Sequence, residues 1–199
     1  MLFNTTALFA QQIVESSDQS AGFRFTTRSD VVEPVIHYHQ NIHMLSSIPD
    51  KPSLDIFGDG RVVVHFPAYM KKAGDYEMWL DATELKNLIK ALSSDGVLDF
   101  DEQRVKGKVD AHEKALRDKG QLYAISDAAE TVVVVKLDEY QKNRRSKKIG
   151  NFRKEFKWKN IEHDAARYKN NTDLIRANNS MSLLKGLMND ARLIKMEQR

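Results

Sequence analysis

With 199 residues, 41% hydrophobic and 30% charged, the chain has the balance of a folded globular protein and the length for one sizeable core or two small ones. The absence of cysteine excludes disulfides, thiolate zinc sites, iron–sulfur clusters and cysteine nucleophiles, and the longest apolar run falls far short of the roughly 20 residues of a membrane-spanning helix. The net charge of +3 is unevenly spread: residues 141–160 hold nine Lys/Arg against one acidic residue, whereas the remainder holds 22 basic and 27 acidic ones, so a mildly acidic body carries one concentrated basic segment.

The N-terminus reads as the last half of a secretory leader. An apolar stretch over residues 2–10 ends at the small residue Ala10, with Leu8 two positions earlier and Gln11-Gln12 behind it; a basic n-region is missing, and Asn4, Thr5 and Thr6 dilute the run. The expectation is an exported, periplasmic or secreted protein whose coding start lies upstream. An ordinary cytosolic N-terminus is the alternative. Residues 1–20 are accordingly set apart as leader-like or disordered, and 21–199 are read as a single α+β domain.

Phe23 and Phe25 alternate with polar neighbours, and residues 32–39 form a second β-rich run interrupted by Pro34. Proline cannot donate to a ladder, so this strand is expected at a sheet edge or beginning after Pro34. Pro49 and Pro52 mark a turn ahead of the clearest motif, residues 53–57 and 61–66 flanking Gly58-Asp59-Gly60. Asp-Gly supplies the positive φ that a tight turn between twisted strands requires, which predicts a β-hairpin. A third strand over 75–80 puts Tyr76, Met78 and Leu80 on one face and Trp79 on the other. A helix over 82–93 follows, with Asp81 and Glu84 at capping-box spacing and Leu85, Leu88, Ile89 and Leu92 on one stripe. Gly96 is its natural stop.

A weaker helix is predicted over 109–119, ended by Gly120. Strands over 121–126 and 131–137 flank residues 127–130 as a hairpin loop, and the continuous apolar run Val132 to Val135 predicts a central strand covered on both faces. The basic segment leads to a strand over 155–161 in which Phe156 and Trp158 alternate with Lys157 and Lys159. Thr172 is placed to cap a last long helix carrying Leu174, Met181, Leu184, Leu187, Met188 and Ala191. The fold class is therefore α+β, with antiparallel hairpins and third strands packed against amphipathic helices. Residues 50–100 and 120–199 read as two similar β-β-β-α halves, an order that any antiparallel α+β chain can also produce.

The Asp59-Gly60-Arg61 turn, the 76–80 strand and the 85–92 helix resemble a module of uncharacterised, often exported bacterial proteins, built as a strand, an Asp-Gly-Arg turn, two strands and a helix. The resemblance covers about residues 50–100, and residues 158–168 less closely. It implies the fold and an exported address, and it brings no known activity.

His37, His39 and His43 form the one candidate metal cluster. Residues two apart in a strand share a face, so His37 and His39 can offer two nitrogens to one ion, with His43 joining through a turn and His65 or Asp55 from the neighbouring hairpin. Solvated or hydrogen-bonded histidines at a strand end are the competing explanation. The basic segment with Phe152, Phe156 and Trp158 combines cations and rings as nucleic-acid surfaces do. Its alternation instead predicts buried rings, a solvated lysine face and an exposed loop presenting Arg144, Arg145, Lys147 and Lys148 to an anionic partner, an acidic protein or lipid headgroups. No pair of carboxylates stands out as acid and base, and no nucleophile elbow, zinc-protease, phosphate-loop or dinucleotide motif occurs. The sequons at Asn170 and Asn178 read as accidents of helix capping and helix surface. No cofactor is implied. These observations favour a non-enzymatic exported binding or structural domain; the alternatives are a metal-dependent enzyme using His37 and His39, or a binder of anionic partners through residues 141–160.

Overall fold

A computed structural model describes residues 13–18, 22–28, 32–42, 50–121 and 129–197, with the main chain alone for 13–18 and Arg28. In chain order the elements are β1 (Ile13–Asp18), β2 (Phe23–Arg28), β3 (Ile36–Asn41), β4 (Ser53–Ile56), β5 (Arg61–Phe66), β6 (Gly74–Trp79), α1 (Ala82–Ser94), α2 (Glu102–Arg117), β7 (Glu130–Gln141), β8 (Ile149–Lys159), α3 (Ile161–Arg167), α4 (Thr172–Met188) and β9 (Ile194–Lys195). The fold is α+β: the nine strands form one antiparallel sheet, and the helices share a single hydrophobic core with one of its faces.

The sheet is organised around β7. One edge of β7 pairs along almost its whole length with β8, from Glu130↔Lys159 to Tyr140↔Ile149. The opposite edge is occupied by two strands laid end to end. β3 pairs with residues 130–135, and β2 pairs with residues 139–141. From β3 the sheet continues through β4, β5 and β6 to β9, and from β2 it ends at β1.

The period-2 patterns decide which face is buried. Ile36 and Tyr38 of β3, Leu54 and Ile56 of β4 and Val62 and Val64 of β5 all point to the helices. So do Val133, Val135, Phe156 and Trp158, while Lys157 and Lys159 point away and are exposed, as their alternation predicts. The β4–β5 turn closes through Gly60 N–H donating to Phe57 O at 3.0 Å, with Gly60 at φ +92°. A Cβ at Gly60 would lie 2.2 Å from Leu80 O, and Leu80 N–H donates to Gly60 O at 2.9 Å, so only glycine lets the turn meet the end of β6. Trp79 faces away and is exposed.

On α1 the capping box is complete: Asp81 Oδ1 accepts from Glu84 N–H at 2.8 Å and Glu84 Oε2 accepts from Asp81 N–H at 2.9 Å. Leu85, Ile89 and Leu92 are fully buried, and each such side chain contributes about 1.5 to 3 kcal/mol, more than the roughly 1 kcal/mol of the cap. Packing therefore sets the helix orientation and the cap sets where the helix starts.

Several sequence expectations are corrected. Of the two places expected for β3 the second holds: it begins after Pro34 and lies inside the sheet between β7 and β4, because Pro34 precedes the ladder and removes no donor from it. α2 starts at Glu102, seven residues before the predicted 109, capped by Asp101 Oδ1 accepting from Arg104 N–H at 2.9 Å; with Val105 its one fully buried residue, it lacks the apolar stripe that would reveal it. β8 runs from Ile149 to Lys159, and Ile161 opens the unforeseen α3 after Asn160 turns the chain at φ +57°. α4 ends at Met188, which leaves Ala191 outside it, and Asn171 occupies the position before its first residue, Thr172. Gln121 lies in no strand, and residues 122–128 of the expected 121–126 strand and its loop fall outside the described residues. No described helix is long and apolar enough to cross a membrane.

Candidate functional site

The sheet face turned away from the helices carries His37, His39 and His65. Register places His37 beside Asp55 and Val134, and His39 beside Ser53 and Val132; Ser53 in turn lies beside His65, and His65 beside Asp75. The expectation that His37 and His39 share a face therefore holds, and Asp55 does join them from the hairpin. His37 Nδ1–H donates to Asp55 Oδ1 at 2.6 Å, and His37 Nε2 lies 3.0 Å from His39 Nδ1 with one proton between them. His43 lies outside the described residues. Among the described residues no group of three or more His, Asp or Glu is arranged to hold a metal ion.

His65 forms a second array. Its Nδ1–H donates to Asp75 Oδ1 and its Nε2–H to Asp50 Oδ1, both at 2.6 Å. Partial burial works against the charged ring, but the two carboxylates outweigh it and raise the His65 pKa above the ordinary histidine value. His39 goes the other way. Burial, His37 and Lys51 lower its pKa, opposed by Glu130. The protonated His65 has both nitrogens committed as donors, which suits it to cross-linking β4's leader, β5 and β6 rather than to accepting a proton from a substrate.

The basic segment is the tip of the β7–β8 hairpin. Asn143 Oδ1 accepts from the N–H groups of Arg145 and Ser146 at 2.9 and 3.0 Å, an Asx turn that presents the cations around it to solvent. Arg144, Arg145, Lys147 and Lys148 are all exposed, as the sequence predicts. The run of charge is nevertheless broken up by carboxylates, one within the segment and others outside it. Lys142 pairs with Asp99 at 2.7 Å, Lys148 with Glu139 at 2.6 Å, and Arg153 and Lys157 both reach Glu155. Arg144 crosses the turn before β2, where a Cβ at Gly22 would lie 2.5 Å from Arg144 N. Arg145 and Lys147 are left without an ion pair among the described residues.

A third feature has no counterpart in the sequence reading. Among the described residues, the β3 pairing of β7 covers 130–135 and the β2 pairing covers 139–141, so the two ladders leave an interval on that edge, where Lys136 N–H donates to Val35 O at 2.8 Å. On the other edge the β7–β8 ladder skips the opposition of Asp138 and Asn151, and Asn151 sits at φ +49°. Such local breaks re-aim side chains and are frequent beside functional sites.

The gap opens into a cleft of about 330 Å³ lined by Thr27 of β2, Glu33 to Val35 ahead of β3, Lys136 to Asp138 of β7 and Asn151 to Arg153 of β8. Its floor is apolar, with Val35 and Leu137 buried and Phe152 half-buried against Tyr140 at 4.5 Å between ring centroids. Its rim is ionic. Lys136 Nζ–H donates to Glu33 Oε2 at 2.6 Å, and that contact holds the Glu33 carboxyl below the usual range. Thr27 is 1% exposed and its hydroxyl has no hydrogen-bond partner among the described residues. An unpaired buried hydroxyl costs about 1 to 3 kcal/mol, and this one is enclosed behind the cleft wall. The only sequence signal was the polar Thr27 after the Phe23 and Phe25 alternation; the rest of the site depends on β2 and β3 meeting end to end. No known protein family, no curated protein and no solved structure matches this chain.

Proposed function

We propose that the chain is a non-enzymatic, exported binding domain that holds a small ligand in the cleft between the ends of β2 and β3. The observation that carries this reading is a cleft of about 330 Å³ whose floor is apolar and whose rim bears charges of both signs. A concave, mainly apolar site with a few polar groups is the usual form of a small-molecule pocket. The histidine arrays fit a structural role within such a domain, since each knits neighbouring strands and His65 is held as a donor on both nitrogens. The exported address rests on the apolar residues 2–10 ahead of Gln11-Gln12 and on the resemblance of residues 50–100 to exported bacterial proteins. Cell fractionation of the full-length gene product tests it.

Binding is tested by thermal unfolding against a panel of small polar and amphipathic compounds. A ligand at 100 times its Kd stabilises by about 2.7 kcal/mol, which for a chain of this size raises Tm by about 5 to 10 °C. Compounds that raise Tm must lose that effect in Lys136→Gln and Arg153→Gln, which alter the rim of the cleft. A panel in which nothing shifts Tm, or in which both variants respond as the parent does, removes the reading.

One observation favours a second reading, a metal site at His37 and His39. Asp55 backs the ring of His37 in the manner of a carboxylate supporting a metal-bound histidine, and the two facing nitrogens are 3.0 Å apart. Elemental analysis of purified protein tests it: stoichiometric zinc, copper or iron, lost in His37→Ala and His39→Ala, would establish a metal-dependent function in place of simple binding.

A further inference from the structure

We infer that the tip of the β7–β8 hairpin docks the protein onto an anionic lipid bilayer, through a surface separate from the cleft. Five of the seven residues 142–148 are Lys or Arg and none is acidic, and Arg24, exposed and opposite Gln141 in the β2–β7 register, adds a further cation beside them. Asp99 and Glu139 pair with Lys142 and Lys148, but both pairs are exposed, and ion pairs in water yield readily to a denser field of charge. The tip is also stiff. Asn143 N–H donates to Ser146 Oγ at 2.8 Å and the Gln141 side-chain amide donates to Ser146 O at 2.9 Å, so the cations stand on a preformed turn and little ordering is left to oppose binding.

Shape selects among anionic partners. Single-stranded nucleic acid needs exposed rings to stack on, and the rings of this hairpin are turned inward: Tyr140, Phe156 and Trp158 are buried, and Phe152 packs against Tyr140. Duplex DNA takes a free two-stranded ribbon into a major groove about 8.5 Å deep, yet β2 flanks β7 as far as Gln141, so only the turn projects beyond the sheet. A stable protein interface covers about 800 Å² per partner around an apolar centre, more than a tip of seven residues offers.

A bilayer asks for none of these. Its charge is continuous, so a narrow convex tip meets many headgroups at once, and each Lys or Arg near the surface raises partitioning by about fivefold. Ile149 follows the cations directly and is 44% exposed; it supplies an apolar side chain to enter the headgroup layer.

The experiment is sedimentation of the full chain with vesicles of phosphatidylcholine alone and of an equal mixture with phosphatidylserine, at about 0.1 and 0.5 M salt. The expected result is binding to the anionic vesicles alone, falling by about tenfold or more at the higher salt. Arg145→Gln/Lys147→Gln removes two exposed cations that lack an ion pair among the described residues, and should lower binding by about 25-fold. Lys157→Gln/Lys159→Gln removes the same charge from exposed positions about 30 Å further along β8, well beyond the screening length of about 10 Å at 0.1 M salt, and should change binding by less than about twofold. Ile149→Ser should weaken binding by the same factor at both salt concentrations. Thermal unfolding of each variant like that of the parent shows that the fold is kept. If the two double variants lose binding alike, the attraction follows net charge and the tip assignment is wrong. Neither a short DNA duplex nor inorganic phosphate, at the same phosphate concentration as the lipid, should release the protein; release by the duplex makes the tip a nucleic-acid site, release by phosphate makes it a site for the free ion, and either overturns the bilayer assignment. Equal binding to neutral vesicles, or none to anionic ones at the lower salt, overturns it as well.

Discussion

Replacing Trp158 by alanine separates a structural basic hairpin from a nucleic-acid surface. Trp158 is 5% exposed, packs edge-on against Phe100 with ring centroids 5.7 Å apart, and donates its indole N–H to Asp164 Oδ2 of α3 at 2.7 Å. Truncating a buried aromatic to alanine costs about 3 to 5 kcal/mol, and a hydrogen bond to a charged group accounts for about 1.5 to 3 kcal/mol. The two contributions overlap, so Trp158→Ala should lose about 4 to 5 kcal/mol out of a domain stability of about 5 to 15 kcal/mol. Trp158→Phe keeps most of the ring contact and loses the N–H, and should lose about 2 to 3 kcal/mol. Urea denaturation followed by far-ultraviolet circular dichroism reads both values without relying on the tryptophan being removed. A Trp158→Ala variant within 1 kcal/mol of the parent would refute the burial argument. Loss of salt-sensitive nucleic-acid binding in that stable variant would make the ring a stacking platform.

Tyr38→Phe should leave stability unchanged or raise it by about 1 kcal/mol, because the Tyr38 hydroxyl is buried with no partner among the described residues; the same denaturation measurement checks it. Arg145→Gln and Lys147→Gln should each change stability by no more than about 0.5 kcal/mol, since both are exposed outside any ion pair among the described residues, and heparin affinity, if measurable, should fall with each and with added salt. His65 has a folded-state pKa raised by Asp75 and Asp50, so its stabilising contribution is complete below the unfolded histidine value near 6.5 and is lost as pH rises through the higher folded value. His39, with a lowered pKa, contributes in the opposite sense. The pH dependence of stability should therefore lose the downward component that sets in above about pH 6.5 in His65→Asn and retain it in His39→Asn; identical profiles for the two variants would contradict the assignment.

What was legible in the sequence is what local chemistry decides. The β4–β5 hairpin followed from Asp59-Gly60, and the start of α1 from Asp81 and Glu84. The inward rings and outward lysines of β8 followed from strict alternation at Phe156 to Lys159. Elements whose signal is spread over tertiary contacts were harder. α2 buries fully only Val105 within a charged stretch, and α3 begins after Asn160, a non-glycine residue held at φ +57° by the surrounding packing. Pro34 left two places open for β3, a sheet edge or a start after the proline, and the ladder that begins at Ile36 takes the second. The histidine pair was readable from period 2 alone, whereas the Asp50 contact that commits both nitrogens of His65 requires the 50s loop to fold back over β5. The charge excess of residues 141–160 overstated the positive surface, because Asp99 and Glu139, which sequence places elsewhere, neutralise part of it. The cleft was invisible for a related reason: its walls come from four separated segments, and its existence depends on β2 and β3 sharing one edge of β7.

The central claim is that this junction is a ligand site, and the most direct measurement is the mapping of amide shifts on titrating ¹⁵N-labelled protein with the compound that raises Tm most. The account predicts that Thr27, Val35, Leu137, Asp138 and Phe152 shift together along one saturation curve while Ser53, Val63 and Glu77 on the open face stay still. Shifts confined to the open face, or a titration with no saturable change at those five cleft amides, would contradict it.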